Sequence, residues 1–345
     1  MTQPASALID AQGRRIDYLR VSVTDRCNYR CTYCMPEEGV GHADRADVLT
    51  FEEIAELVTS FAELGVRRLR ITGGEPTVRK DLLTLIAMVS RVPGIEDVAL
   101  STNGHRLLEL AGPLRSAGVS RLNVSVDTLN PERFAEITRG GVLSQVLAGL
   151  QAARNVGYRS IKINTVAIKG FNDAEVPQLC AYAWSQGFVP RFIEQMPMAD
   201  GALFVPGQLM TAQAIRQGLL EAHPGAVLVP DEASDARGAG PARYWRLQDN
   251  LEGMEDRPPR HVGLITPITE HFCDTCNRVR LSSSGALHTC LAHDASVDLR
   301  DSLRRGGSVA VREAIVAAVA GKRPSHLFQI GGQGGPRKSM VQIGG

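Results

Sequence analysis

The chain reads as an α/β protein. The expected architecture is a partial parallel barrel of six strand–helix units, of the (β/α)6 TIM type, with a C-terminal extension that covers the barrel's open side. Three observations predict it. Strand patterns alternate with amphipathic helix patterns from residue 18 to residue 221, and such alternation builds parallel sheets. Most of the strands are apolar on one side and polar on the other, which rules against a doubly wound sheet buried on both faces. Six units are fewer than the eight of a closed barrel, so the barrel is splayed and needs a cover.

Residues 1–15 are polar and read as a flexible lead-in. Strands are expected over residues 18–24, 67–72, 97–101, 121–126, 160–166 and 188–195. Helices are expected over 51–64, 81–91, 106–117, 142–155, 174–186 and 212–221, several stopped by a glycine such as Gly65, Gly118, Gly157 or Gly187. Strand parity puts Tyr18, Arg20, Ser22 and Thr24 opposite Leu19, Val21 and Val23, and Arg68, Arg70 and Thr72 opposite Leu69 and Ile71. Asn123, Ser125 and Asp127 likewise oppose Leu122, Val124 and Val126, and Lys162 and Asn164 oppose Ile161 and Ile163. An ordinary barrel fills its interior with branched apolar side chains; this one is expected to have a polar, cationic lumen that holds a charged ligand. The sixth strand does not alternate cleanly, so parity leaves its register open.

Past residue 222 the composition shifts to a loop rich in Gly, Ala and Pro, then short strands near 244–247 and 262–265 and two short helices near 298–305 and 309–320. The expected division is a lead-in over 1–15, a barrel over 16–222, a C-terminal domain over 223–330 and a Gly-rich tail without regular structure over 331–345. A net charge of +1 implies no polyanionic partner, and neither a signal core nor an apolar run long enough to cross a bilayer is present, so the chain reads as cytoplasmic.

The seven cysteines divide three, three and one. Cys27, Cys31 and Cys34 form a C-x3-C-x2-C loop after the first strand. Three thiolates suit a four-iron cluster with one iron left open; zinc motifs more often arrive as paired C-x2-C units. Cys273, Cys276 and Cys290 repeat the logic at a different spacing, and there a structural zinc completed by His271, His288 or His293 stays open. Cys180, alone in a helical pattern, reads as a small buried hydrophobe. The two glycines of Gly73-Gly74-Glu75-Pro76 allow close backbone approach to a ligand. Arg278 and Arg280, two apart, share a face if they lie on a strand. With Arg20, Arg70, Lys162 and Arg191 they give about the charge a triphosphate needs, and no P-loop is present to do that work instead.

The C-x3-C-x2-C loop with Tyr33 before its last cysteine resembles the radical S-adenosylmethionine (SAM) superfamily. Thr24-Asp25-Arg26-Cys27, the Gly73–Pro76 motif, Cys273-x2-Cys276-x-Arg278-x-Arg280, Cys290 and the terminal Gly344-Gly345 together resemble the GTP 3',8-cyclase family of molybdenum cofactor biosynthesis, from about residue 14 to the end. The resemblance implies two [4Fe–4S] clusters on the two cysteine sets, the second binding the substrate's purine base. It implies SAM contacts at Tyr33, Gly74, Ser125 and Met196. It implies substrate contacts at Arg20, Arg70, Ser101, Lys162, Arg278 and Arg280, although Ser101 stands where a threonine is common; Arg191 joins the substrate-binding set by its charge alone. The diglycine tail, Gly344 and Gly345, would thread into the active site near the reacting centre, and with Arg278 and Arg280 it would make up the catalytic set. The implied reaction starts when a 5'-deoxyadenosyl radical removes the ribose 3' hydrogen of GTP, after which C3' attacks guanine C8. An electron donor, a downstream cyclic pyranopterin synthase and a homodimer follow by analogy. The rivals are a peptide-modifying radical SAM enzyme and a zinc-stabilised nucleic-acid-binding module; the near-neutral charge speaks against nucleic acid.

Overall fold

A computed structural model describes residues 7–231, 240–248 and 258–344. The barrel part runs β1 (Tyr18–Ser22), α1 (Phe51–Glu63), β2 (Arg68–Thr72), α2 (Leu82–Ser90), β3 (Asp97–Thr102), α3 (Leu107–Ala117), β4 (Arg121–Ser125), α4 (Pro131–Thr138), α5 (Leu143–Val156), β5 (Ser160–Ala167), α6 (Val176–Ser185), β6 (Val189–Glu194) and α7 (Ala212–Glu221). The remainder adds β7 (Val227–Pro230), β8 (Arg243–Gln248), β9 (Arg260–Ile265), β10 (Arg278–Leu281), β11 (Ala286–His288), β12 (Val297–Asp298), α8 (Leu299–Ala320) and α9 (Met340–Ile343).

One twisted sheet holds all of these strands, in the order β12-β11-β10-β1-β2-β3-β4-β5-β6-β9-β8-β7. The six expected strands are parallel neighbours in chain order. The C-terminal part does more than cover an opening. It adds one parallel strand to each edge, β10 beside β1 and β9 beside β6, and antiparallel hairpins beyond both.

The parity argument explains the layering. Leu19, Val21, Leu69, Ile71, Leu122 and Val124 are fully buried against the helices, while the opposite faces line the lumen. At roughly 25 cal/mol per Å² of apolar surface, this shared core between sheet and helices is the main stabilising term. On β6 Phe192 packs outward and Arg191 and Ile193 face in; an apolar residue on the wet face is why that strand did not alternate. Helix α1 starts on a capping box, with Thr50 Oγ1 accepting from Glu53 N at 3.2 Å and Glu53 Oε2 accepting from Thr50 N at 2.9 Å.

Four expectations change. Residues 7–15 are packed rather than frayed: Leu8 and Arg14 are buried, and Ile9 bridges Arg15. The two expected C-terminal helices form one run, α8, broken at Gly307, whose φ of 63° and ψ of −161° suit only glycine. The tail is not wholly irregular, since α9 forms on a Ser339–Gln342 capping box. Helix α4 was not expected. Its start signal is present, with Pro131 in the first turn and Asn130 accepting from Arg133 N at 2.9 Å.

Candidate active site

Helix α4 holds the first cysteine loop. Its last carbonyls, Ile137 O and Thr138 O, accept from Thr32 N (2.9 Å) and Arg30 N (3.1 Å). Arg139 then donates to the carbonyls of Arg30 and Met35. Gly73 and Gly74 brace the other side. A Cβ on Gly74 would lie 2.4 Å from Arg26 O, and one on Gly73 would lie 2.5 Å from Thr24 O. These glycines therefore allow close approach to the cysteine loop. Gly74 N and Glu75 N donate to Thr24 O and Arg26 O at 2.7 and 2.8 Å. The Glu75 carboxylate, fully buried, is consumed by Thr77, Thr102 Oγ1 and Asn103 N.

Burial pushes the Cys27 thiol up to about 11 and Cys34 up to about 12, and lifts Cys31 as well, with neighbouring thiols adding to the rise at Cys31 and Cys34 and Glu75 at Cys27. Three thiols close together in a desolvated loop disfavour their own ionisation. A cationic iron core reverses that penalty, so the donor set fits an iron–sulfur cluster.

The loop opens on a cavity of about 340 Å³ at the C-terminal ends of the strands, and the second set, Cys273, Cys276 and Cys290, faces the same cavity. Its charge environment differs. Burial raises Cys273. At Cys276 burial again raises, but the charges of Arg278 and Lys322 outweigh it and the thiol lies below its ordinary value.

Each barrel strand in turn sends at least one polar side chain into this cavity, among them Arg20, Arg70, Ser101, Ser125, Asn164 and Arg191. β10 contributes Arg278 and Arg280. Register sets Arg280, Arg20 and Arg70 side by side across β10, β1 and β2. Like charges placed directly opposite across strands repel. Burial, then Arg280 and Arg70, holds Arg20 well below its ordinary value; burial and Arg278 bring Arg280 down to about 10. Arg70 bonds Tyr18 Oη and reaches Ser101 Oγ at 3.3 Å, and Arg191 Nε donates to Asn164 Oδ1 at 2.9 Å. Such a row of guanidiniums is arranged for a polyanion.

Residues 21–183 match the Radical SAM superfamily and residues 189–328 match Molybdenum Cofactor Synthesis C. A protein of Hydrogenovibrio crunogenus described as GTP 3',8-cyclase is 42% identical across 98% of this chain and 100% of its own. One of Pelotomaculum thermopropionicum with the same description is 44% identical across 97% of this chain and 99% of its own. The chain belongs to the GTP 3',8-cyclase family. It is therefore a radical SAM enzyme, which uses SAM and an iron–sulfur cluster; the rival readings as a peptide-modifying enzyme or a zinc module are not favoured. In fold it is similar to Streptococcus suis SuiB bound to S-adenosylmethionine, with a TM-score of 0.58 at 12% identity, covering 90% of this chain and 70% of that one.

Within this family member, Tyr33, Gly74, Ser125 and Met196 all line the cavity beside the first cysteine loop. Tyr33 Oη donates to Asp127 Oδ2 at 2.8 Å, and burial pushes the Asp127 carboxyl up to about 6. Lys162 departs from expectation. It lies below the main cavity in a small pocket of about 20 Å³, donating to Tyr244 Oη at 3.0 Å. Arg68 lines that lower pocket too and pairs with Asp17 at 2.6 Å. The tail does enter the barrel: Met340 and Val341 line the cavity, and Gly344 O accepts from Arg280 Nη1 at 2.7 Å. Gly344 has φ 80° and its missing Cβ would lie 2.8 Å from Ser22 Cβ, so only glycine fits. Gly345 lies outside the described residues.

Of the histidines expected near the second set, His271 is close, His288 is buried without joining a metal-ligand group, and His293 contacts Ser325 O. His326 was missed. Its ligand atom, with those of His271 and Cys273, lies in a group spanning 4.8 Å. Its nearest sequence signal is a lone histidine 36 residues past Cys290, and spacing gives no reason to bring it back. Among the described residues no helix is long and apolar enough to cross a membrane.

Proposed function

We propose that the chain converts GTP to (8S)-3',8-cyclo-7,8-dihydroguanosine 5'-triphosphate, with its site residues in the following roles. Cys27, Cys31 and Cys34 would hold the cluster that meets SAM, and Cys273, Cys276 and Cys290 a second [4Fe–4S] cluster that meets the purine base. When bound, the first cluster and SAM supply the 5'-deoxyadenosyl radical that takes the ribose 3' hydrogen. Tyr33, Gly74, Ser125 and Met196 position SAM. Arg20, Arg70, Ser101, Arg191, Arg278 and Arg280 fix the triphosphate and ribose, so that one hydrogen faces the radical, and Lys162 adds its charge from below. Gly344 and Gly345 narrow the site around the reacting carbon and exclude water. An electron donor, a downstream cyclic pyranopterin synthase and a homodimeric state in the cytoplasm complete the reading.

The observation that carries the substrate assignment is the in-register row Arg280–Arg20–Arg70 beneath two cysteine sets that share one cavity. The test is anaerobic turnover of iron-loaded protein with SAM, dithionite and each nucleoside triphosphate, reading 5'-deoxyadenosine and the cyclised product. We expect formation with GTP alone. Arg280→Ala should lower kcat/KM by about two orders of magnitude or more, as loss of a charge-assisted contact with the polyanion does. Equal formation with every nucleotide, or with none, would remove GTP as the substrate.

A further inference from the structure

Residues 322–326, directly after α8, touch the arms that carry the second cysteine set. Lys322 is 3% exposed. Its ammonium donates to the carbonyl of Thr289, the residue before Cys290, and to the carbonyl of Arg278 at 3.3 Å, two residues past Cys276. The carbonyls of Arg323 and Pro324 accept from Arg14 at 2.8 Å each, and Arg14 also donates to Cys273 O at 2.9 Å. The backbone N–H of His326 reaches the Cys273 thiol. Arg14 is itself anchored by Asp10, at 2.6 Å.

Lys322 is the unusual member. A buried ammonium is costly unless opposite charge compensates it. Arg14 has a carboxylate; among the described residues no carboxylate is paired with Lys322. What lies near it are the backbone arms that carry Cys276 and Cys290. Three thiolates outweigh the charge of an oxidised four-iron core, so a loaded site would be anionic.

We infer that Lys322 is a positioning residue for the second cysteine set: its ammonium ties the arm leaving Cys276 to the arm carrying Cys290 and is a buried countercharge of the cluster held there. The inference rests on the reading that Cys273, Cys276 and Cys290 bind an iron–sulfur cluster. Two consequences follow. Without the tie, the arms separate and the cluster is lost more readily. Without the charge, the reduced cluster is less stabilised, and its reduction potential falls.

The test compares wild type, Lys322→Met, Lys322→Arg and Cys276→Ser after anaerobic loading. Iron and sulfide per chain are measured, with a reductive titration followed by electron paramagnetic resonance. Wild type should hold about eight irons and Cys276→Ser about four. Lys322→Met should hold about four, or retain eight with the second cluster reduced only at a more negative potential; Lys322→Arg should stay near wild type. If Lys322→Met loses its cooperative thermal transition, Lys322→Gln, which keeps an N–H donor without the charge, is read for the same fall in potential. Full loading at an unshifted potential in the uncharged variants overturns the role of Lys322 alone. A wild type with about four irons, unchanged by Cys276→Ser, overturns the second-cluster reading and the inference with it.

Discussion

Lys162 gives up its proton easily in the folded chain. Burial first, then the charges of Arg191, Arg70 and Arg121, push its ammonium down to about 6, against a small opposing pull from Asp97. The unfolded chain therefore binds a proton here that the folded chain releases, from the ordinary lysine value down to about 6. This contribution works against the fold, and stability falls as pH drops through that window. A bound triphosphate has the opposite effect, since its charge raises the ammonium and binding takes up a proton. Affinity for GTP should be greatest below pH 6 and weaken on the way to pH 8, by at most about tenfold per unit for one proton. Calorimetric titration of wild type against Lys162→Met isolates this lysine from the ligand's own terminal phosphate. Identical pH profiles for the two would show that Lys162 does not couple. Parity made such lumen residues legible in the sequence: a period of two fixes which of Arg20, Arg70, Ser125 or Lys162 face inward once Leu19, Leu69, Val124 and Ile161 face out. It did not fix depth along the barrel axis, and so it grouped Lys162 with residues of the upper cavity. Arg191 was identified by its charge, not by parity, because Ile193 shares its face.

Elements were legible where the signal was local. The six strands and the six expected helices fell within two residues of expectation at every end, because periodicity and terminal glycines are local properties. Helix α4 was passed over although Asn130 and Pro131 announce it, since a short helix between β4 and α5 adds nothing to a strand–helix count. It is nonetheless the element that seats the first cysteine loop. The Gly73-Gly74 turn was visible as a motif, but its partner was not: the atoms a side chain would meet belong to Thr24 and Arg26, some 50 residues earlier. That geometry makes a sharp prediction. In Gly74→Ala the added Cβ would meet the Arg26 carbonyl, which cannot yield without moving the residue next to Cys27. Iron content should fall by about four per chain while the rest of the fold survives, so the thermal transition remains cooperative. A Gly74→Ala protein with full iron loading would mean that the cysteine loop has slack the structure does not show.

The whole molecule turns on how the C-terminal part returns to the sheet. Which distant segments pair was beyond the sequence: nothing in Arg278-x-Arg280 says that its neighbour is Arg20. The consequence is twofold. The pairing of β10 with β1 completes the arginine row, so the barrel part alone carries only part of the cationic site. The pairing of β9 with β6 requires Gly263, because a Cβ there would lie 2.7 Å from Arg191 Cγ and 2.9 Å from the Tyr244 ring. Both edges of the six-stranded core, β1 from Tyr18 to Val21 and β6 from Arg191 to Ile193, are thus occupied in the full chain. Residues 1–222 alone would leave two parallel edges unpaired, each a template for another chain. That fragment should elute as polydisperse aggregates in size-exclusion chromatography with light scattering, and co-expression with residues 223–345 should restore a discrete species. A fragment that ran as a stable monomer would mean that helices and loops can shield these edges unaided. The C-terminal part would then be an addition to a self-sufficient barrel, and its hold on Arg20 and Arg191 a matter of function alone.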